Sequence, residues 1–139
     1  THNRYTRLNT NADPLIDAAV ARGMAVLNAA PYGSGMLSRG PDSYPRYAYQ
    51  QAPEYMIERT GKIREICDRH GVPLAAAALQ FSMLDPRITV TIVVMSRPER
   101  VASTIELASI NIPGAVWDEI DALGPADTVD PEIYRFKKQ

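Results

Sequence analysis

The chain has 139 residues, 45% hydrophobic, with 15 Lys and Arg against 16 Asp and Glu, two His and one Cys. These are the proportions of one ordinary globular domain or of part of a larger one. A net charge of −1 gives no general attraction for nucleic acid or an anionic membrane surface, both of which need clustered cations.

A lone Cys67 excludes an internal disulfide and suits a reducing cytoplasm. No stretch approaches the roughly 20 apolar residues of a membrane span, and no basic-then-apolar leader opens the chain, so any membrane role is expected to be peripheral. The opening residues, Thr1 to Leu8, begin in mid-pattern without a turn or cap before them, the expectation for a processed protein or a piece of a longer one.

In chain order, Thr1–Leu8 reads as a candidate strand. Asp13-Pro14 followed by an apolar run to Gly23 predicts a helix with an acidic N-cap, proline in the first turn and glycine at the stop. Met24 to Ala30 is a short apolar run ended by Pro31, the pattern of a strand buried on both faces. From Pro31 to Pro53 glycine, proline, serine and tyrosine dominate, which predicts a long irregular connection. Its four tyrosines, Tyr32, Tyr44, Tyr47 and Tyr49, argue against disorder; packing is the plain role for them, and lining a substrate mouth the alternative for the last three.

Two helices are predicted next. Glu54–His70 carries Ile63, Ile66 and Cys67 on one face with Gly71 beyond its end, and Pro73–Leu84 is alanine-rich and closed by Asp85-Pro86. Ile88 to Val94 is β-branched throughout and is the strongest predicted strand. Ser96-Arg97-Pro98-Glu99 predicts a helix start with a hydroxyl cap, and Ala115–Leu123 a last helix burying Trp117, Ile120 and Leu123. The tail from Pro125 to Phe136-Lys137-Lys138-Gln139 has no periodicity. Strands separated by helices imply an α/β fold with parallel pairing and right-handed crossovers, and so few strands read as an arc of a larger closed barrel.

Two segments at the C-terminal ends of predicted strands suit a ligand. Ser96-Arg97-Pro98-Glu99-Arg100 sets two guanidiniums beside a helix N-terminus, an arrangement fit for phosphate, although an ordinary capped helix start with surface arginines is the plainer reading of this string alone. Pro31-Tyr32-Gly33-Ser34-Gly35 lets backbone approach a pyrophosphate, though Gly-Ser-Gly is also a plain turn. No metal-ligand cluster, serine-nucleophile elbow or P-loop is legible, and no Lys lies between Lys62 and Lys137. His70 reads as a helix C-terminal residue favoured by the dipole.

The order of His2-Asn3-Arg4-Tyr5-Thr6, of Leu27-Asn28-Ala29-Ala30-Pro31-Tyr32-Gly33-Ser34-Gly35 and of Ser96-Arg97-Pro98-Glu99-Arg100-Val101 resembles the C-terminal half of the aldo-keto reductases, in the branch of L-fucose dehydrogenase, D-threo-aldose 1-dehydrogenase and pyridoxal 4-dehydrogenase. The resemblance implies that residues 1–139 are the cofactor-binding C-terminal part, about strands six to eight, of a (β/α)8 TIM barrel. The family's catalytic Asp, Tyr, Lys and His lie on earlier strands, so no catalytic residue falls in this chain and the chain alone is expected to be inactive.

The same resemblance puts His2 at the nicotinamide carboxamide, where the family often has glutamine, and Ala29 where many members have a tyrosine stacked on nicotinamide. It places Tyr32, Gly33, Ser34 and Gly35 at the pyrophosphate loop, Ser96, Arg97 and Arg100 around the adenosine ribose and adenine, and Thr104 at adenine. The cofactor is then NAD or NADP; the lack of a lysine near Val94 to Ser96 tilts the expectation to NAD, with Arg97 or Arg100 able to hold a 2′-phosphate. The implied activity is interconversion of a sugar or small alcohol with its carbonyl or lactone by hydride transfer to or from the nicotinamide, and the implied partner is the remaining half of the barrel. The alternatives are a non-catalytic binding or regulatory half-barrel, and two copies completing one barrel.

Overall fold

A computed structural model describes residues 1–132. The elements in chain order are α1 (Asp13–Val20), β1 (Leu27–Ala29), a 3-10 turn over Gly33–Gly35, α2 (Met36–Arg39), β2 (Arg46–Tyr47), β3 (Gln50–Gln51), α3 (Glu54–Arg69), α4 (Leu74–Met83), β4 (Val90–Ile92), α5 (Glu99–Ser109) and α6 (Gly114–Asp121). β1 and β4 are hydrogen-bonded and parallel, with Leu27 opposite Val90, Asn28 opposite Thr91 and Ala29 opposite Ile92. The predicted first strand shrinks to one parallel bridge, His2 to Ala29. The residues after it turn away, because Thr6 and Asn9 pair with each other and Asn9 with Asp127. The α/β order is therefore as the sequence pattern required, with short strands.

Burial on both faces of β1 is not what the structure shows. On one face Asn28 is fully buried, its Nδ2 donating to the Tyr5 carbonyl at 2.9 Å and to Ser82 Oγ of α4 at 2.8 Å. Thr91 Oγ1 meets the same Ser82 hydroxyl at 2.7 Å. On the other face Leu27, Val90 and Ile92 are 47%, 46% and 40% exposed. Parallel sheets are ordinarily covered on both sides. The β-branched run was legible, but only the helix-facing side finds a cover among the described residues.

α4 lies close against its neighbours because Ala76, Ala77 and Ala78 are small and buried. Its Gln80 Nε2 donates to the carbonyls of Leu107 (2.9 Å) and Ile110 (2.8 Å), satisfying acceptors at the end of α5 that the helix itself leaves open. The larger core gathers Leu8, Met36, Leu37, Tyr47, Ile63, Val116 and Ile120; a smaller one lies under α1 around Tyr5, Ile16 and Val26. Cys67 is buried in the larger core, as its place on an apolar helical face required, and burial pushes its thiol up to about 11.

Both predicted side-chain caps fail. α1 is preceded by Ala12 with Asp13 inside its first turn, and the Asp13 carboxylate instead accepts from Arg87 at 2.9 Å. α5 begins at Glu99 after Pro98 with no side-chain cap, so Ser96 lies ahead of the helix. α6 buries Val116 and Ile120, while Trp117 packs partly buried. His70 follows α3 directly, and its Nε2 contacts Glu119 at 2.6 Å on α6, a long-range partner added to the dipole. Phe136 to Gln139, the end of the aperiodic tail, lies outside the described residues.

Candidate cofactor site

The 31–53 connection is ordered by its own tyrosines. Tyr47 is buried; its hydroxyl donates to the Asn3 carbonyl at 2.7 Å and takes a bond from Thr6 Oγ1 at 2.9 Å. Gly33 passes over that ring at φ +55°, so close that a Cβ there would sit 2.6 Å from Tyr47 Cε2. Only glycine combines that φ with that approach. Tyr44 packs under the Arg39 guanidinium, 4.9 Å from ring centroid to Cζ. Tyr49 stacks on the His2 imidazole with centroids 5.9 Å apart.

Where β1, β4 and the Thr1–Asn3 segment end, these pieces enclose a cleft of about 210 Å³ bordered by His2, Tyr32, Ser34, Gly35, Arg39, Tyr49, Val94 and Arg100. The C-terminal end of parallel strands is where loops and helix N-termini converge in α/β proteins. Ligand pockets for whole cofactors usually run to roughly 300–1,000 Å³, so this cleft fits one portion of an extended ligand.

Four non-glycine residues with left-handed backbones surround it: Asn3 (φ +54°), Ala30 (+59°), Ser34 (+59°) and Tyr49 (+66°). Such conformations cost about 1–3 kcal/mol each and gather at binding sites, where the surrounding structure holds them.

The charge of the cleft is one-sided. Among the described residues Arg39 and Arg100 line it, no carboxylate does, and neither guanidinium forms an ion pair. The Tyr32 hydroxyl is buried, and among the described residues no partner meets it in hydrogen-bond geometry, the Thr104 hydroxyl standing nearby. Burial pushes it above its ordinary value, against the opposing pull of the nearby Thr104 hydroxyl and Arg100 guanidinium. Unpaired guanidiniums and a buried hydroxyl around one cleft fit an anionic, hydrogen-bonding ligand such as a dinucleotide phosphate.

Of the residues singled out in the sequence, His2, Tyr32, Ser34, Gly35 and Arg100 line the cleft, Gly33 lies beneath its loop, and Thr104 stands beside Tyr32. Ser96 and Arg97 are exposed and outside the lining. Tyr49, one of the three tyrosines offered as an alternative lining of a substrate mouth, does line the cleft; Arg39 does too, and nothing in the sequence singled it out, because its approach depends on its contact with Tyr44. Among the described residues no group of three or more metal-ligating side chains occurs, and no helix is long and apolar enough to cross a membrane.

The aldo/keto reductase family model matches residues 1–125. D-threo-aldose 1-dehydrogenase of a Pseudomonas species is 33% identical over 119 residues, which cover 84% of this chain and 36% of that protein. Pyridoxal 4-dehydrogenase of Microbacterium luteolum is 30% identical over 122 residues, 87% of this chain and 36% of that protein. The chain thus spans about a third of the length of these curated relatives.

Among solved structures, an aldo-keto reductase from Bacillus halodurans in its holo form superposes with a TM-score of 0.68 at 19% identity, covering 92% of this chain and 42% of that one. A thermostable aldo-keto reductase in complex with the inhibitor epalrestat does so at 0.53 and 16% identity, covering 83% and 35%. Neighbours of this kind place the α/β fold with the (β/α)8 barrels. Matched by the family model over nine-tenths of its residues, the chain belongs to the aldo/keto reductase family.

Proposed function

We propose that residues 1–139 form the C-terminal, cofactor-holding part of an NAD(P)-dependent oxidoreductase that interconverts a sugar or small alcohol with its carbonyl or lactone. The observation that carries this reading is the cleft at the strand ends, which among the described residues has Arg39, Arg100 and the buried Tyr32 hydroxyl around it and no carboxylate. The exposed face of β1 and β4 supports the barrel assignment, since Leu27, Val90 and Ile92 form the apolar surface that further barrel strands would enclose. The names of the two curated relatives support an alcohol or aldehyde substrate. A reducing, cytoplasmic setting accords with the free thiol of Cys67.

The bound nicotinamide would supply the hydride. In this reading the backbone of Tyr32–Gly35 passes the pyrophosphate, the Arg39 guanidinium neutralises it, and Arg100 stands toward the adenosine ribose and adenine. His2 offers one hydrogen bond to the carboxamide, Arg97 and Ser96 stand toward the ribose, and Thr104 toward adenine. NAD is favoured over NADP, because no lysine lies between Lys62 and Lys137 to meet a 2′-phosphate. None of these residues moves the substrate proton, so the reading assigns the acid–base step to residues beyond them and expects this chain alone to turn nothing over.

Titration of the protein with NAD+, NADP+ and ADP-ribose by calorimetry tests the reading. Binding of all three, tighter for NAD+ than for NADP+, is expected; failure of every nucleotide to bind would overturn it. Consumption of NAD(P)H with an aldehyde by these residues alone would overturn the assignment of the chemistry to residues outside them.

A further inference from the structure

Asn3 is fully buried in a left-handed conformation, φ +54°, between the two walls of the cleft, and every polar group it carries is engaged. Its carbonyl accepts from the Tyr47 hydroxyl at 2.7 Å. Its Oδ1 accepts from Ser34 Oγ at 3.3 Å, and its Nδ2 lies 3.3 Å from His2 Nδ1. An amide nitrogen can only donate, so the contact requires His2 Nδ1 to be the bare, accepting nitrogen of the ring. The ring proton is then on Nε2, which faces the cleft and lies 3.3 Å from the Tyr49 hydroxyl.

We infer that Asn3 is a positioning residue that fixes His2 in the Nε2–H tautomer, so that the imidazole presents a donor to the cleft, and that ties this donor to the glycine loop through Ser34. The residue that orients one ring nitrogen sets what the other can do. Because Tyr47 holds the Asn3 carbonyl while Gly33 rides on the Tyr47 ring, the His2 side and the loop side of the cleft share one buried support. The acceptor for the donor is Tyr49 in this structure and the carboxamide oxygen of a nicotinamide when one binds. That last clause rests on the cofactor reading; the tautomer does not.

The test is nitrogen NMR of the nucleotide-free protein carrying 15N-labelled histidine, at a pH where the rings are neutral, with the His2 signals assigned by their loss in His2→Gln. The wild-type ring is expected in the Nε2–H form. Asn3→Gly tolerates the positive φ and removes only the side chain, and should lower the ratio of Nε2–H to Nδ1–H roughly fivefold, the bias that the net worth of one hydrogen bond provides. Asn3→Asp keeps the shape but offers an acceptor, and should turn the neutral ring to Nδ1–H. A wild-type Nδ1–H ring, or one ratio common to all three proteins, would overturn the inference. If Asn3→Asp turns the ring and NAD+ affinity is unchanged, the positioning role stands and the carboxamide contact falls.

Discussion

Gly33→Ala separates the two reasons for a glycine beneath the cleft. The new methyl carries a left-handed φ of +55°, which for an L-residue costs roughly 1–2 kcal/mol. It also lands 2.6 Å from Tyr47 Cε2 and 3.0 Å from Cδ2. That ring has little room to yield, because its hydroxyl is held by the Asn3 carbonyl and by Thr6, so the overlap behaves as overpacking and adds about 1–3 kcal/mol. The two together make about 2–5 kcal/mol, a large share of the 5–15 kcal/mol that typically holds a domain folded. Urea unfolding measures it against two controls. Gly71→Ala has the same backbone problem, φ +65°, in open space, and should show only the first cost. Gly61→Ala lies inside α3 with nothing near its Cβ and should stabilise by up to about 1 kcal/mol. Equal losses for Gly33→Ala and Gly71→Ala would refute the claim that Tyr47 and Gly33 interlock.

Three further outcomes are expected. Arg100→Ala should weaken NAD+ binding about tenfold or more, the worth of a charge-assisted hydrogen bond, and Arg97→Ala, outside the cleft lining, by less; calorimetry with both variants ranks the two contacts, and a larger loss for Arg97→Ala would refute the ranking. Arg87 binds Asp13, Asp17 and Asp85 together, and the Asp85 carboxyl is held down at about 2 chiefly by its bond to Arg87. A carboxyl lowered in the fold takes up its proton more readily once unfolded. This stabilisation should thus be complete above the ordinary value of 3.8, decline as pH falls toward 2, and vanish from the urea-midpoint profile in Asp85→Asn. Cys67, fully buried with its thiol pushed up to about 11, should react with a thiol reagent only as the chain unfolds; rapid labelling of the folded protein would contradict its burial.

What could be read from the sequence was local. Helix positions followed from apolar spacing and from glycines such as Gly23 and Gly71, each of which takes a positive φ after its helix. The glycine loop could be singled out because Gly-Ser-Gly is permissive wherever it occurs. What could not be read was decided by residues distant in the chain. Asp13 had the right identity for an N-cap, yet Arg87, 74 residues away, offers its carboxylate a charged donor. Ser96 had the right identity for a hydroxyl cap, but the helix starts later, at Glu99. Arg39 reaches the cleft by resting on Tyr44, and no periodicity reports an aromatic perch.

The strands show the same division from the other side. Ile88 to Val94 is β-branched along its whole length, and β-propensity describes fit to a pleated, half-buried surface rather than a count of neighbours. Only Val90–Ile92 pairs, because β1 supplies just three residues of register. Asn28, polar in an apolar run, is the buried tie between β1, α4 and Tyr5. A buried, hydrogen-bonded polar residue specifies register more sharply than another valine would, since a shift by one residue would bring Asn28 to the exposed face and break its bonds to Ser82 and the Tyr5 carbonyl. The cleft inherits its geometry from that register: with Asn28 fixed opposite Thr91, Ala29 lies opposite Ile92, and His2, bridged to Ala29, is held level with Ile92 at the end of β4.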